Sequence, residues 1–361
     1  MSLILYIFIA ILGLSFLVFF HELGHFIAAR AFGVTVERFS VGFGKILFKK
    51  ECCSTEWAFS AIPLGGYVKM KGQDDANPLA KSSEKDSYNA KKPWQRIIIL
   101  LAGPAANIVT AFFLYLFITI GGAPLSTAKD YFPPVIGKVA PESPASRAGL
   151  KPKDKIISVN GVKVKFWYEI SKEIEKSPSS IILEIQRDER ILKIKLDTKE
   201  IDDKNEFQES IKRHIIGITP DFNKDEKIYF SPPEALFYAF RETINASKLI
   251  TKGIQKVSTG EVSSKNIGGP VTIFDLMMRF AKAGFDYFLW MMALISVNLG
   301  IMNLLPIPAL DGGHIMFNLY ELISRREMNE KIYYYLTLFG WGILIALMGL
   351  GLYNDINRLA G

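Results

Sequence analysis

From Leu3 to Phe20 the chain carries no charged side chain. A run of that length and character reads as a membrane helix, because about 20 apolar residues are needed to cross the hydrocarbon core. In hydrocarbon the backbone must satisfy its own amides, which leaves a helix as the form of an isolated span. Three further windows share the pattern, at about 97–121, 285–305 and 333–353. The first window continues to about residue 31. It is too long for a cleavable signal peptide and lacks the basic start of one, so it is read as an uncleaved span. The expected fold class is a polytopic α-helical membrane protein with four transmembrane helices.

Charge sets the expected orientation. The segment 33–95 holds Arg38, Lys45, Lys49, Lys50, Lys69, Lys71, Lys81, Lys85, Lys91 and Lys92, and Arg325, Arg326 and Lys331 lie between the third and fourth windows. Short loops rich in Lys and Arg stay in the cytoplasm, which puts both termini outside. The net charge of +7 is accounted for by these loops. The positive residues are dispersed and no nucleic-acid module is visible, so no nucleic-acid partner is expected. Only two cysteines occur, the adjacent Cys52 and Cys53, and they can build neither a disulfide framework nor a cysteine-based zinc site.

The first span runs into His21-Glu22-Leu23-Gly24-His25. Positions i and i+4 share a helix face, so His21 and His25 can grip one metal ion. Glu22 is then placed to take a proton from an attacking water and pass it to a leaving amine. Hydrocarbon offers His and Glu no solvation, so a cluster like this inside a span points to function. Zinc needs a third protein ligand and one open position. Of the other histidines, His214 lies in the long segment after span two and is poorly placed. The stretch from Asn303 to His314 contains Pro306, Pro308, Asp311 and His314. Its prolines forbid a regular helix, and unwound backbone at membrane depth belongs beside protein or a wet cavity. Asp311 is preferred as the third ligand and His314 is its rival, with a supporting hydrogen-bond role as the alternative for His314. Asn303 can hold a substrate carbonyl or, equally, cap the broken helix.

Between spans two and three, residues 134–200 show strand-like runs at Val135–Val139, Lys155–Val159, Ile181–Ile185 and Ile191–Leu196, with a helical pattern from Trp167 to Glu175. An amphipathic helix is expected over 234–257, broken by Ser258–Gly269. The loop 33–95 reads as short strands separated by glycine turns, including Gly42-Phe43-Gly44 and Gly65-Gly66-Tyr67.

These motifs resemble the site-2 protease family of intramembrane zinc metalloproteases. The resemblance is carried by the His21–His25 motif, by Asn303–Gly313 with its Asn-x-x-Pro-x-Pro-x-Leu-Asp-Gly pattern, by Ala102-Gly103-Pro104-Ala105-Ala106-Asn107, by Gly42–Gly44 and by Ile62–Tyr67. It covers nearly the whole chain and is greatest for the bacterial regulator of sigma-E branch. Residues 143–161 also resemble a PDZ signature, with Ile216, Gly217 and Ile218 as a candidate peptide-binding strand. Several bacterial relatives carry two tandem PDZ domains, whereas one is readable here.

The resemblance implies one zinc ion per chain, held by His21, His25 and Asp311, with Glu22 as general base and acid and Asn303 polarising the substrate. Gly42, Phe43, Gly44, Gly65, Gly66 and Tyr67 would belong to a membrane-associated β-hairpin that offers an edge strand to an unwound substrate helix. The expected domains are 1–32, the first span with the zinc motif; 33–95, the β loop; 96–121, the second span; 122–221, a PDZ-like α+β domain; 222–283, an amphipathic helical linker; 284–323, the third span with the Asp motif; and 324–361, the fourth span and tail. The expected activity is peptide-bond hydrolysis within single-span membrane proteins already cut by an upstream site-1-type protease, such as an anti-sigma factor, or signal-peptide remnants. The expected location is the bacterial inner membrane, with the PDZ-like domain extracytoplasmic and the active site toward the cytoplasm. The competing readings are a non-catalytic membrane chaperone and a metal transporter. The second needs an inverted repeat, and none is visible.

Overall fold

The computed structural model describes residues 3–73, 82, 84–124, 131–205, 209–221, 227–263 and 268–360. Lys81 and residues 264–267 of the Ser258–Gly269 break lie outside these. The chain forms two compact units, one from Met1–Ile118 with Pro233–Gly361 and the other from Thr119–Pro232.

The first unit opens with α1 (Leu3–Ala31). This helix ends in a left-handed turn at Gly33, φ +67°, with the Val34 amide returning to the Ala29 carbonyl at 2.8 Å. Glycine adopts that turn without the clash a Cβ would bring. The chain then forms β1 (Val36–Cys52) and β2 (Thr55–Met70), and α2 follows at Pro93–Ile120.

β1 and β2 are bent, and the register shows how. Phe39 faces both Trp57 and Val68, Ser40 faces both Ala58 and Tyr67, and Cys52 faces Thr55. The run 36–41 is therefore flanked on one side by 56–59 and on the other by 66–70, while 46–52 pairs with 55–60 beyond. Gly42 and Gly44, at φ +92° and +83°, make one bend, and Gly65 lies at the other. The expected short strands separated by glycine turns are present, joined into two continuous bent strands. Phe39 stacks on Trp57 at 4.7 Å between ring centres and meets Phe19 and Phe26 of α1 edge-on at 5.5 and 5.8 Å. Phe39 is fully buried, and burying a ring of that size contributes about 2–3 kcal/mol. This aromatic cluster fastens the sheet to the turn of α1 that carries the His motif.

The second unit contains β3 (Ala123–Pro124), β4 (Ile136–Val139), α3 (Pro144–Arg147), β5 (Lys155–Val159), β6 (Val162–Lys163), α4 (Trp167–Glu175), β7 (Ser180–Arg187), β8 (Arg190–Asp197), β9 (Lys199–Lys204), β10 (Ser210–Ile215), β11 (Ile218–Pro220) and β12 (Lys227–Ile228). A four-stranded sheet runs in the order β6-β5-β7-β8. Along β7, Ile181, Leu183 and Ile185 alternate inward and pack with Ile156, Val159, Ile170 and Ile174 in one core. All four expected strands and the expected helix are present, with ends differing by a few residues. The β9–β10 hairpin was not expected. Its residues carry alternating charges and little apolar signal.

The chain returns to the first unit with α5 (Pro232–Ser258), α6 (Pro270–Ala283), α7 (Phe285–Asn303), α8 (Asp311–Ser324) and α9 (Glu330–Ala360). The expected linker, 222–283, holds two helices, α5 and, beyond the Ser258–Gly269 break, the short helix α6. Its amphipathic stretch merges in sequence with span three, and Gly284 separates the two. Among the described residues four helices are long and apolar enough to cross a membrane: α1, α2, α7 and α9. The chain is a multi-span helical membrane protein with a β-rich insertion.

Candidate metal centre

Three helices meet at the His motif. His21 and His25 lie one turn apart on α1, and both are buried. Asp311 is the first residue of α8, which starts only after Pro306 and Pro308 have interrupted the helical path from α7. The unwound segment 304–310 is held by turns of its own, with the Leu310 amide on the Ile307 carbonyl at 2.8 Å and the His314 amide on that of Leu310 at 3.2 Å.

The ligand atoms form a near-equilateral triangle. His21 Nε2 and His25 Nε2 are 3.2 Å apart, and Asp311 Oδ2 lies 3.3 Å from the first and 3.5 Å from the second. Tetrahedral zinc with bonds of about 2.0–2.1 Å separates its ligand atoms by about 3.3–3.4 Å. Asp311 Oδ2 is also shut off from solvent and accepts no hydrogen bond. A buried carboxylate oxygen in that condition calls for a cation. His25 Nδ1 donates to the Ile99 carbonyl at 2.8 Å, which leaves its Nε2 as a bare lone pair aimed into the triangle. Donor set, spacing and orphaned oxygen all fit zinc. Among the described residues this is the group of His, Cys, Asp and Glu side chains that could hold a metal ion.

The second helix shapes the space. A Cβ at Gly103 would lie 2.2 Å from His25 Nε2, and one at Gly24 would lie 2.2 Å from the Ala102 carbonyl oxygen. The Ala102–Asn107 motif therefore lets α2 pass directly over the His face of α1. Asn107 is fully buried and places its side-chain nitrogen 3.0 Å from His21 Nδ1. Sequence reasoning noted this motif without giving Asn107 a role.

The triangle opens into a cavity of about 850 Å³, whose lining includes Glu22, Asn303, Phe43, Gly66, Tyr67 and His314. Asn303, the last residue of α7, has its side-chain nitrogen 3.1 Å from His21 Nε2. His314 lies outside the triangle, with Nδ1 3.0 Å from the Tyr333 hydroxyl. Residues 66–70 of β2 run along the cavity, and among the described residues no further strand pairs with their outer edge. A Cβ on Gly66 would come 3.3 Å from Glu22 Cγ, so that edge passes directly over the glutamate. Gly42, Gly44 and Gly65 shape the bends and are not on the cavity wall.

Ile216, Gly217 and Ile218 belong to the other unit. Ile216 is buried in the insertion core, and its carbonyl accepts from the Ala145 amide at 2.9 Å. Gly217 turns at φ +82° against Ser143, and Ile218 pairs with Val139. A separate hollow of about 390 Å³ lies beside α4, between Trp167 and Pro220.

The model of peptidase family M50 matches residues 9–347, which include all three ligand candidates. The chain belongs to peptidase family M50, the site-2 protease family. A Campylobacter jejuni protein provisionally named a zinc metalloprotease is 44% identical over 97% of this chain and 93% of its own length. A Helicobacter pylori protein with the same provisional name is 39% identical over 97% and 99%. The regulator of sigma-E protease of Salmonella typhimurium is 30% identical over 97% of this chain and 98% of its own. That last alignment runs over 442 positions, so the Salmonella protein supplies about 90 that have no counterpart here. Among solved structures, the PDZ domain of an SdrC-like protein from Listeria monocytogenes matches 25% of this chain and 87% of its own at 17% identity and a TM-score of 0.20, too low to establish the fold of the insertion. His21, His25 and Asp311 form the candidate zinc site of an M50 metalloprotease.

Proposed function

We propose that the chain cuts peptide bonds inside single-span membrane proteins previously shortened by a site-1-type protease, with His21, His25 and Asp311 holding zinc. The observation that carries this reading is that the three ligand atoms, Glu22 and the open edge of 66–70 share one cavity. Zinc bound there supplies Lewis-acid polarisation of a water and of the scissile carbonyl. Glu22 takes the proton of the attacking water and returns it to the leaving amine. Asn303 donates its amide hydrogen to the carbonyl oxygen as charge builds there. A transmembrane helix hides its peptide bonds in its own hydrogen bonds, so it must be unwound first. The outer edge of 66–70 offers backbone partners to the extended segment, and Phe43 and Tyr67, stacked 6.3 Å apart, flank it.

The resemblance to the regulator of sigma-E branch of the family suggests an anti-sigma factor as one substrate, with signal-peptide remnants as another. The charge of the short loops supports an inner-membrane enzyme with its site toward the cytoplasm. The insertion, as a single PDZ-like domain outside, would screen substrates by size or by a trimmed terminus.

Glu22→Gln tests the catalytic assignment. The purified variant should keep one zinc per chain and wild-type thermal stability while losing at least 10²-fold in cleavage of a model span. Undiminished turnover by that variant would remove Glu22 from the chemistry and favour a different proton carrier.

A further inference from the structure

Asn107 does not itself line the cavity, yet it is fully buried behind His21, which does. We propose that Asn107 is a positioning residue: its amide oxygen accepts the Nδ1 proton of His21 and thereby turns the Nε2 lone pair of His21 toward the metal. This rests on the reading of His21 as a zinc ligand.

The argument begins with the two histidines. His25 is fixed, because a carbonyl can only accept and Ile99 sits on its Nδ1. Among the described residues His21 has no carbonyl partner. Its Nδ1 meets the Asn107 amide at 3.0 Å, and its Nε2 meets Asn303 Nδ2 at 3.1 Å. With nitrogen as the facing atom of Asn107, His21 would need a lone pair on Nδ1 and a proton on Nε2. That proton would point into the triangle and would block a ligand position. With oxygen facing instead, Nδ1 carries the proton and Nε2 is bare. The three ligand atoms are then three lone pairs converging at 3.2–3.5 Å.

Nothing else pins the amide in the first sense. Asn107 Oδ1 is buried and has no hydrogen-bond partner where it stands. The oxygen and nitrogen of an amide are nearly identical in shape, so their assignment follows from the hydrogen bonds they can make. The backbone at this point is held firmly. The Ser296 hydroxyl donates to the Asn107 carbonyl at 2.8 Å, and a Cβ on Gly300 would lie 3.3 Å from the Asn107 Cβ. The side chain is thus clamped between α1 and α7 and faces His21. Partners of this kind commonly change metal affinity by about 10–100-fold when removed.

The test uses the full chain in detergent, with zinc affinity measured by chelator competition. Asn107→Leu keeps the branch at Cγ, is bulkier, and loses the acceptor, and should weaken zinc binding about 10–100-fold. Asn107→Asp keeps an oxygen of the same shape and has no N–H to donate, and should stay within a few-fold of wild type. A second readout is independent of the metal. The chain has only four histidines, so ¹⁵N spectra of selectively labelled metal-free protein can follow each. His21 should show the Nδ1–H tautomer in wild type and Asn107→Asp, and lose it in Asn107→Leu. Wild-type affinity in Asn107→Leu, weakening in Asn107→Asp equal to that in Asn107→Leu, or a His21 proton on Nε2 in wild type would each overturn the proposal. If Asn107→Leu does not fold, the wild-type and Asn107→Asp spectra decide it. His21→Ala separates the two readings: if that variant binds zinc as tightly as wild type, the ligand assignment itself fails. If it loses zinc while Asn107→Leu does not, only the positioning role fails.

Discussion

Asp311 and His314 sit on the same helix, one turn apart, and only Asp311 reaches the histidine pair. Asp311→Ala should therefore strip the metal, while His314→Ala, which removes a partner of Tyr333, should reduce occupancy little. Metal analysis of the two purified variants checks this, and the reverse order would reassign the third ligand. His21, Glu22 and His25 were legible because a five-residue spacing on one helix is a local property. Asp311 was legible because two prolines beside a carboxylate at membrane depth demand an explanation. Asn107 was not, because its role depends on a contact with a residue 86 positions away that only the crossing of α1 and α2 creates.

Helices α1 and α2 are made for close approach, and the bent sheet is made for an open edge. Residues 66–70 keep one side paired to 36–41 and the other turned to the cavity. The alternation of glycine, aromatic and β-branched residues foretold the strands. The double pairing of 36–41 was beyond it, since the partners of a strand are not written in its own pattern. In the insertion, Arg187 grips Asp154 with two bonds of 2.7 and 2.8 Å, and the Lys151 amide adds a third at 2.8 Å. Burial pushes the Asp154 carboxyl up, but these bonds and the Arg187 charge outweigh it and hold the group below the usual carboxylate range. A depressed value in the folded state means the stabilisation is complete above about pH 4 and drains away as pH falls through the lower folded value. Arg187→Ala should cost the insertion about 2–3 kcal/mol at neutral pH and flatten that acid dependence. Hydrogen-exchange protection factors across β5 and β7 in the full chain measure both. Equal protection in variant and wild type would show that the pair contributes nothing.

The molecule as a whole follows a plan that span counting largely set out: four spans, a β-rich insertion after the second, and a candidate zinc motif near one end of the first. Within the amphipathic linker, helix α6 was given no bounds of its own, because an amphipathic segment of 14 residues leaves only a weak trace beside a full span. The proposed orientation can be read with the natural cysteines. Cys52 and Cys53 are exposed at the tip of the bent sheet, where Arg30, near the end of α1, holds the Cys53 carbonyl at 3.2 Å. A membrane-impermeant maleimide should label them in inside-out vesicles and leave them unmodified in intact spheroplasts. Labelling of intact spheroplasts would invert the proposed topology.

The division of the metal triangle between α1 and α8 also has a consequence in time. Its two imidazoles are synthesised early and its carboxylate 290 residues later. At about 5–20 residues per second, roughly 15–60 s separate them on the ribosome. Through that interval the first span sits in the bilayer among other newly inserted helices with an incomplete metal centre. A chain released early, or one whose last two spans fail to insert, carries the zinc motif without the means to close it. Dividing the centre between two distant segments of the chain makes synthesis past Asp311 a condition of cutting.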